Sequence, residues 1–417
     1  METIKTVNSI IGILFMLCYA YQFFYIAVSL LKKAKSHKTD KLHNYAILIA
    51  ARNEQSVIEN LIQSIKSQDY PQELVTVFVV ADNCTDSTAQ IAERAGAVVY
   101  ERFNNCEVGK GYALDFLTSK IKQDYGDVFD AFFVFDADNV LDKNYITEMN
   151  KTFSNGYKIV TSYRNSKNYG ANWISAGYAL WFLRESKYLN NARMILGTSC
   201  AVSGTGFMFS REILEKSGGW KFFLLTEDIE FTIYNVTNGE KIGYCGTAHL
   251  YDEQPERFSQ SWNQRMRWAK GYLQVFSKYG TKLLRGIFSK KAVSCFDMTM
   301  CIMPAVVLTL AAGIINITAA VYGILTQNTE VLIAVLSLVQ TALRSYLLLW
   351  TVGAITTVTE WRNIHTGSAK KILYVFTFPL FMFTYIPISF VAFFKKVRWT
   401  HIEHKRSMNL EQIKENS

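Results

Sequence analysis

The chain has 417 residues, half of them hydrophobic and only 19% charged, with a formal net charge of +9. A charged fraction below the soluble norm of about 25% points to a membrane rather than to one very large core. Intrinsic disorder and a disulfide-rich secreted fold are both excluded. The basic excess suits an anionic partner: nucleic acid, anionic lipid or a phosphate-bearing substrate. Seven cysteines, at 18, 84, 106, 200, 245, 295 and 301, form no CxxC pair. That pattern argues against a zinc ribbon and for a reduced, cytosol-facing body.

Asn8 to Leu31 runs for 24 residues without a charge. At about 1.5 Å per residue it exceeds the roughly 30 Å of hydrocarbon to be crossed. It is too long for a signal peptide, and no small-residue cleavage site follows it. Lys32, Lys33, Lys35, Lys38 and Lys41 follow instead, so that flank is expected in the cytosol and Met1 outside.

From about Asp40 to Tyr279 no uncharged stretch of 18 residues occurs, which predicts a cytosolic domain. Within it, strands alternate with helical stretches. Tyr45–Ala51, Val75–Ala81, Ala97–Tyr100 and Ala131–Phe135 read as strands, the first two as apolar runs of the kind that parallel sheets bury. Gln55–Ser67, Ser87–Ala95 and Gly111–Gln123 read as the helices between them. The expected fold class is α/β, a doubly wound sheet with crossover helices, in which ligands bind at the carboxyl ends of strands.

Each strand end is polar. Arg52, Asn53 and Glu54 follow the first strand, and Asp82, Asn83, Cys84, Thr85 and Asp86 follow the second. Gly109, Lys110 and Gly111 lie in the loop after the third, and Asp136-Ala137-Asp138 follows the fourth. Any one of these could be a helix cap or turn; four on one edge point to a site. Two carboxylates two residues apart, just past a buried strand, can share a hard divalent cation that also takes substrate phosphate oxygens. No GxxxxGK[ST] and no GxGxxG occurs, which disfavours a P-loop or a dinucleotide fingerprint.

After the domain, Thr281–Lys291 reads as an interfacial helix. Phe296–Leu325 and Val331–Ala354 read as a membrane hairpin joined by the turn Thr326–Glu330, with Arg344 near the middle of the second limb. A charge there must face protein or a wet cavity. Ile372–Phe394 has basic residues on both flanks and contains Pro379 and Pro387. It is expected to be interfacial or re-entrant, with a plain further span as the alternative. The expected organisation is therefore a transmembrane helix over 1–36, a catalytic domain over 37–280, interfacial and transmembrane helices over 281–400, and a tail over 401–417.

Thr226-Glu227-Asp228 and Gln264-Arg265-Met266-Arg267-Trp268 complete a set with IAARNE, ADNCTD and DAD. This set resembles family 2 glycosyltransferases, and most of all the membrane-integrated processive synthases of cellulose, hyaluronan, chitin and poly-N-acetylglucosamine. The resemblance runs from about Tyr45 to Thr400, and the ordered pair TED and QxxRW is its specific part. It implies a GT-A catalytic domain facing the cytosol from the plasma membrane of a multi-pass protein. It further implies that Asp82 holds the uracil, with Glu54 and the backbone near Ala50 beside the nucleotide and Lys110 near the nucleotide or its phosphates. Asp136 would contact the uridine and metal side, and Asp138 would ligate Mg²⁺ or Mn²⁺. Asp228 would be the general base, with Glu227 beside it. Arg267 would stabilise the diphosphate, while Gln264 and Trp268 would hold the acceptor sugar. Gly204, Thr205 and Gly206 match a small-residue loop beside the acceptor, although a plain turn before a helix at Arg211 reads equally well. Trp399 and Thr400 resemble a gating loop over the nucleotide.

The implied activity is inverting, metal-dependent and processive: a UDP-sugar, UDP-glucose first and UDP-N-acetylglucosamine second, is polymerised into a β-linked polysaccharide and threaded outward. The alternatives are a non-processive transfer of one sugar to a lipid carrier, and a transporter or scaffold with an inactive transferase domain. The expected partners are the donor, the growing polymer and membrane lipids, with no nucleic acid. Three spans would wall only a thin channel, so an accessory chain or a homodimer is a further expectation. No cyclic-dinucleotide-binding domain follows Thr400 in this sequence, so that mode of regulation is not expected.

Overall fold

The computed structural model describes residues 2–35, 38–325 and 331–415. The first helix is α1 (Glu2–Leu31), and the catalytic domain then begins with β1 (Tyr45–Ala51), α2 (Ile58–Lys66), β2 (Val75–Asp82), α3 (Thr88–Arg94), β3 (Val98–Arg102), α4 (Lys110–Tyr125) and β4 (Ala131–Asp136). It continues through β5 (Val140–Leu141), α5 (Tyr145–Ser154), β6 (Ile159–Ser166), α6 (Trp173–Arg184), a π-helical stretch Glu185–Asn190, α7 (Asn191–Leu196), β7 (Phe207–Ser210), α8 (Arg211–Lys216), α9 (Glu227–Asn238) and β8 (Ile242–Asp252). The long α10 (Phe258–Gly286) leads to α11 (Ala292–Ile302), α12 (Pro304–Leu325), α13 (Val331–Thr359), α14 (Ser368–Phe383), α15 (Tyr385–Phe394) and α16 (Leu410–Glu415).

The strands form one sheet in the order β3-β2-β1-β4-β7-β6-β8-β5. β3, β2, β1 and β4 are parallel, β7 runs antiparallel to β4 and β6, and β6 pairs parallel with β8. Alternate residues feed two cores. Leu48, Phe78, Val80, Phe132 and Val134 pack on the face covered by α4, α6 and α9, while Ile47, Val77, Val79, Phe133 and Phe135 pack toward α2 and α5. Burial on both faces explains why these strands read as apolar runs rather than alternating ones. The register puts Ala50 level with Val80 and Asp136, so three polar strand ends lie side by side.

The sequence pattern foresees the parallel half, and its helices start and stop within a few residues of expectation. Other expectations change. Thr281–Lys291 is no separate interfacial helix, because its first half is the last turn of α10. The first hairpin limb, expected unbroken from Phe296, breaks at Met303 before Pro304, which lacks the amide a continuing helix needs. α14 and α15 divide the expected interfacial segment at Thr384, yet Ser368–Phe394 is long and apolar enough to cross a membrane. Among the described residues Thr6–Leu31 and Leu338–Thr359 also meet that measure. The turn Thr326–Glu330 and Ser417 lie outside the described residues.

A buried knot joins α1 to the domain. Asp297 on α11 pairs with Arg193 on α7 at 2.7 Å and accepts hydrogen bonds from Tyr21 (2.9 Å) and Tyr25 (3.0 Å) of α1. Both charged side chains are 1% exposed, so each depends on the other for compensation.

Candidate active site

The polar strand ends open onto one chamber of about 480 Å³. Asn53 and Asn83, just past β1 and β2, adopt positive φ (55° and 53°), which asparagine tolerates better than most residues. Asn53 Oδ1 accepts from the Thr85 amide at 2.8 Å, and the Glu54 amide donates to Thr88 Oγ1 at 2.8 Å, so the two loops brace each other. Asp82 closes a 2.7 Å ion pair with Arg102 at the end of β3. Burial raises the Asp82 carboxyl even so.

Lys110 opens α4 and ties two loops together. Its Nζ donates to Asp136 and, at 2.8 Å, to the Gly204 carbonyl. Burial alone would raise the Asp136 carboxyl, but Lys110 outweighs it and holds it below the ordinary range. Gly111 is obligatory in the next position, since a Cβ there would meet the Phe222 carbonyl at 2.1 Å. Asp138 is 3% exposed and accepts from the Glu253 amide at 2.6 Å.

The C-terminal segment crosses this edge. The Arg52 guanidinium lies 5.2 Å from the Trp399 ring centre, and Trp399 and Thr400 line the chamber. His404 Nδ1 lies 3.0 Å from both Glu54 oxygens, and His401 approaches the same carboxylate at 3.4 Å. Burial would lower the His404 pKa, but Asp138, Glu54 and Glu253 push it up to about 10. Burial would raise the Glu54 carboxyl, but His404 and His401 hold it below its ordinary value. The Lys405 and Arg406 amides donate to the Glu253 carboxylate at 3.0 and 2.8 Å, which fastens the strap.

Across the chamber lie α9 and α10. Thr226, rather than Asp228, is the residue before the first turn of α9, and Asp228 sits within that turn. Burial raises both acidic side chains, Asp228 above its ordinary value and Glu227, with Asp228 beside it, up to about 7. Arg267 Nη1 donates to the Leu225 carbonyl at 2.8 Å, so it braces the loop that carries the pair. Trp268 meets Tyr178 edge-on at 5.7 Å. Gln264 Oε1 and Thr226 Oγ1 are buried with no hydrogen-bond partner among the described residues, and both residues line the chamber.

The chamber thus gathers Ala50, Glu54, Asp82, Lys110, Asp136, Asp138, Gly204, Glu227, Asp228, Gln264, Arg267, Trp268, Trp399 and Thr400. Thr205 and Gly206 stand behind its wall. Thr205 is 2% exposed and its Oγ1 accepts from the Asp136 amide at 2.9 Å, while a Cβ on Gly206 would meet Leu250 at 1.8 Å. They shape the strand ends and leave Gly204 as the loop's face to the chamber. β7 also intervenes before the helix at Arg211, so the loop is not a plain turn into it.

Sequence reasoning missed Arg164, Lys167, Asp252 and Glu253, because β6 and β8 were not read as strands and their ends drew no attention; it also missed Glu185, in the π-helical stretch. Arg164 Nε donates to Asp252 at 2.7 Å, and its guanidinium lies 3.6 Å from the Phe182 ring centre. Lys167 is 2% exposed and its Nζ has no hydrogen-bond partner among the described residues. The two histidines of His401-Ile402-Glu403-His404, directly after Trp399-Thr400, were the available signal for the strap.

The donor set fits a hard cation. Among the described residues no three His, Cys, Asp or Glu side chains form a closed cage. An open site needs only one or two carboxylates, the rest coming from water and substrate phosphate, and Asp138 beside Asp136 supplies them.

A family model described as "Glycosyltransferase like family 2" matches residues 43–271, more than half of the chain. The chain belongs to glycosyltransferase family 2. It is an enzyme class that transfers sugar from a nucleotide sugar, which agrees with a chamber that sets carboxylates and Lys110 opposite Asp228. The beta-monoglucosyldiacylglycerol synthase of Synechocystis is 27% identical over 56% of this chain and 48% of its own length. The poly-beta-1,6-N-acetyl-D-glucosamine synthase of Staphylococcus aureus is 23% identical over 64% of this chain and 62% of its own. The chain thus matches about half to three fifths of the length of these curated relatives. The mannosyltransferase PcManGT from Pyrobaculum calidifontis, solved with GDP-Man and Mn²⁺, shares the fold with a TM-score of 0.57 at 16% identity, over 91% of this chain and 97% of its own. The mixed sheet is that of a GT-A family 2 glycosyltransferase.

Proposed function

We propose that this glycosyltransferase moves a hexose from a UDP-sugar, with inversion, to a hydroxyl of an acceptor that reaches the chamber from its membrane side, and that it repeats the step to build a β-linked polysaccharide. One observation carries the reading. The chamber that holds the donor-side carboxylates is lined as well by Tyr19, Gln22 and Phe23 of α1, Leu349 and Val352 of α13, and Met382 and Tyr385 of α14 and α15. Donor chemistry and membrane helices share one space, which suits a product handed outward as it grows. The lysines after α1 support a cytosolic side for the domain, and the plasma membrane is what the family resemblance implies. On this reading 1–36, 37–280, 281–400 and 401–417 are the anchor, catalytic, membrane and strap regions. UDP-glucose is the favoured donor.

Asp228 takes the proton from the acceptor hydroxyl. Its burial beside Glu227 raises its basicity toward that task. Glu54 and Asp82 lie at the nucleoside end, and Lys110 and Arg267 bring positive charge to the leaving diphosphate. A divalent cation held by Asp138 and Asp136, Mg²⁺ or Mn²⁺, would neutralise the departing phosphates when bound. Trp268 offers an aromatic face to the acceptor sugar, and Gln264 an unpaired carbonyl. Trp399 and Thr400 close over the nucleotide.

A second reading, single transfer to a lipid, is favoured by the apolar side chains on the membrane side of the chamber. Product size separates the two. Membranes incubated with labelled UDP-glucose should yield a high-molecular-weight product that glucanase digests; a single-sugar lipid would establish the second reading and end the first.

A further inference from the structure

The helical run after α6 contains an irregularity that the reaction described above does not use. Between α6 and α7 the backbone shifts to π-helical hydrogen bonding over Glu185–Asn190. Such insertions recur at functional sites because the extra residue turns a side chain out of the helical pattern. Here Glu185 lines the chamber alongside Asp228, Ser203 and Gly204.

Its carboxylate is poorly served by the protein. It accepts one long hydrogen bond, 3.4 Å, from Ser203 Oγ. Three arginines surround it, and each is engaged elsewhere: Arg164 with Asp252, Arg193 with Asp297, and Arg184 with Gln22. Among the described residues none of them pairs with Glu185. Burial raises its carboxyl, with Arg193, Arg164 and Arg184 opposing and Asp228 adding to the rise. A half-buried carboxylate whose neighbouring arginines hydrogen-bond to other groups is costly unless a ligand donates to it. Gln264, which also lines the chamber, has an amide oxygen without a donor among the described residues. A carboxylate and an amide oxygen without adequate donors describe the complement of a hydroxyl-bearing molecule.

We propose that Glu185 accepts a hydrogen bond from a second hydroxyl of the acceptor, adjacent to the hydroxyl that Asp228 deprotonates, so that the enzyme selects a sugar-terminated acceptor and discriminates against a lipid bearing one free hydroxyl. This rests on the reading that Asp228 is the base and that the chamber admits the acceptor. The bond forms in the bound complex and involves no covalent step. Glu185 is a specificity residue.

The test uses the full chain in lipid nanodiscs with UDP-glucose as donor. Three acceptors are compared: octyl β-glucoside, its monodeoxy analogues, and dioctanoylglycerol with its single hydroxyl. Wild type should prefer octyl glucoside to dioctanoylglycerol by about ten- to a hundredfold in kcat/KM, the range expected of a hydrogen bond to a charged group. Glu185→Ala should lose a similar factor through acceptor KM, while its Kd for UDP, measured by calorimetry, stays within twofold and reports that the site is folded. The deciding arm is the coupling. Among the monodeoxy acceptors that keep the reacting hydroxyl and are still glycosylated, the one that wild type handles worst should be handled no worse by Glu185→Ala, because the partner of the missing hydroxyl is already gone. Additive losses would show that Glu185 acts elsewhere, and an unchanged acceptor KM, or equal use of dioctanoylglycerol by wild type, would overturn the proposal. Failure of the underlying reading looks different: transfer would survive Asp228→Asn, whatever Glu185 does.

Discussion

On the donor side of the chamber Glu54 meets two histidines, Asp82 meets Arg102, and Asp136 meets Lys110. On the acceptor side, Gln264 Oε1 and Thr226 Oγ1 have no partner among the described residues, and Glu185 keeps one long bond. On the proposed function, the contrast follows from what each side would bind. A nucleoside diphosphate carries charge, so its site holds charged groups that need counter-ions while the donor is away. A neutral sugar offers hydroxyls, and the Gln264 amide and Thr226 hydroxyl can stay open at a smaller cost than an unpaired charge. Among the residues that line the chamber, one half is therefore largely compensated by the protein and the other is left to its ligand, while Lys167 behind the donor half keeps an unpartnered Nζ among the described residues.

Substitutions on the two sides should separate accordingly. The largest effect is expected at the base. Asp228→Asn should lower turnover by about 10²–10⁴ while UDP binding, read by calorimetry, persists; near-normal turnover would remove Asp228 from that role. In wild type, kcat/KM should rise with pH along an acid limb above the ordinary carboxylate value of about 4, since burial raises Asp228. The linked stability has the opposite slope. The folded Glu227 holds its proton up to about 7, so its contribution is complete below the unfolded value and is lost as pH rises through 7.

Next comes the donor side. Arg102→Ala leaves Asp82 buried and unpaired, and should cost about 3–5 kcal/mol of stability by denaturant titration. A loss below about 1 kcal/mol would mean that solvent reaches Asp82 and that the donor side is not self-compensated. Gln264→Leu supplies the counterpart. It removes an atom that has no protein partner, so stability should move by less than about 1 kcal/mol, while acceptor KM rises about three- to tenfold. A marked loss of stability there would erase the contrast. The smallest effect is expected at the strap. Trp399→Ala removes the stacking with Arg52 and should slow synthesis about two- to fivefold. A fluorescent protein fused after the tail should glow in the cytosol; fluorescence confined to a surface reporter would put Trp399 across the membrane from the nucleotide and end its gating role.

The donor side was legible because its signals are local. A parallel strand buried on both faces reads as an apolar run, and the first polar residues after it mark the ligand edge, which is how Glu54, Asp82, Asp136 and Asp138 could be named. Arg102, His404 and Arg164 were not visible in that way. Each reaches its partner across the sheet or from the distant tail, 350 residues away in the case of His404 and Glu54. Glu185 was hidden for a different reason. Its role depends on a one-residue change in helical hydrogen bonding, and ESKYLN carries no glycine or proline to announce it. Thr205 and Gly206 show the converse, since their motif is legible but their side of the wall is set by Leu250 and Asn139 packing behind them.

The knot around Asp297 bears on how the molecule is assembled. Tyr21 and Tyr25 leave the ribosome long before their partner on α11, 276 and 272 residues later. Arg193 therefore emerges into a half-made domain with its counter-ion still unsynthesised. The ion pair that compensates that arginine can form only once α11 has followed, so the domain's interior is completed by a helix made after it. A fragment cut to residues 37–280 would lack Asp297 and keep an uncompensated cation in its interior. Supplying α11 should restore the pair, and α1 should add the two tyrosine hydrogen bonds to Asp297.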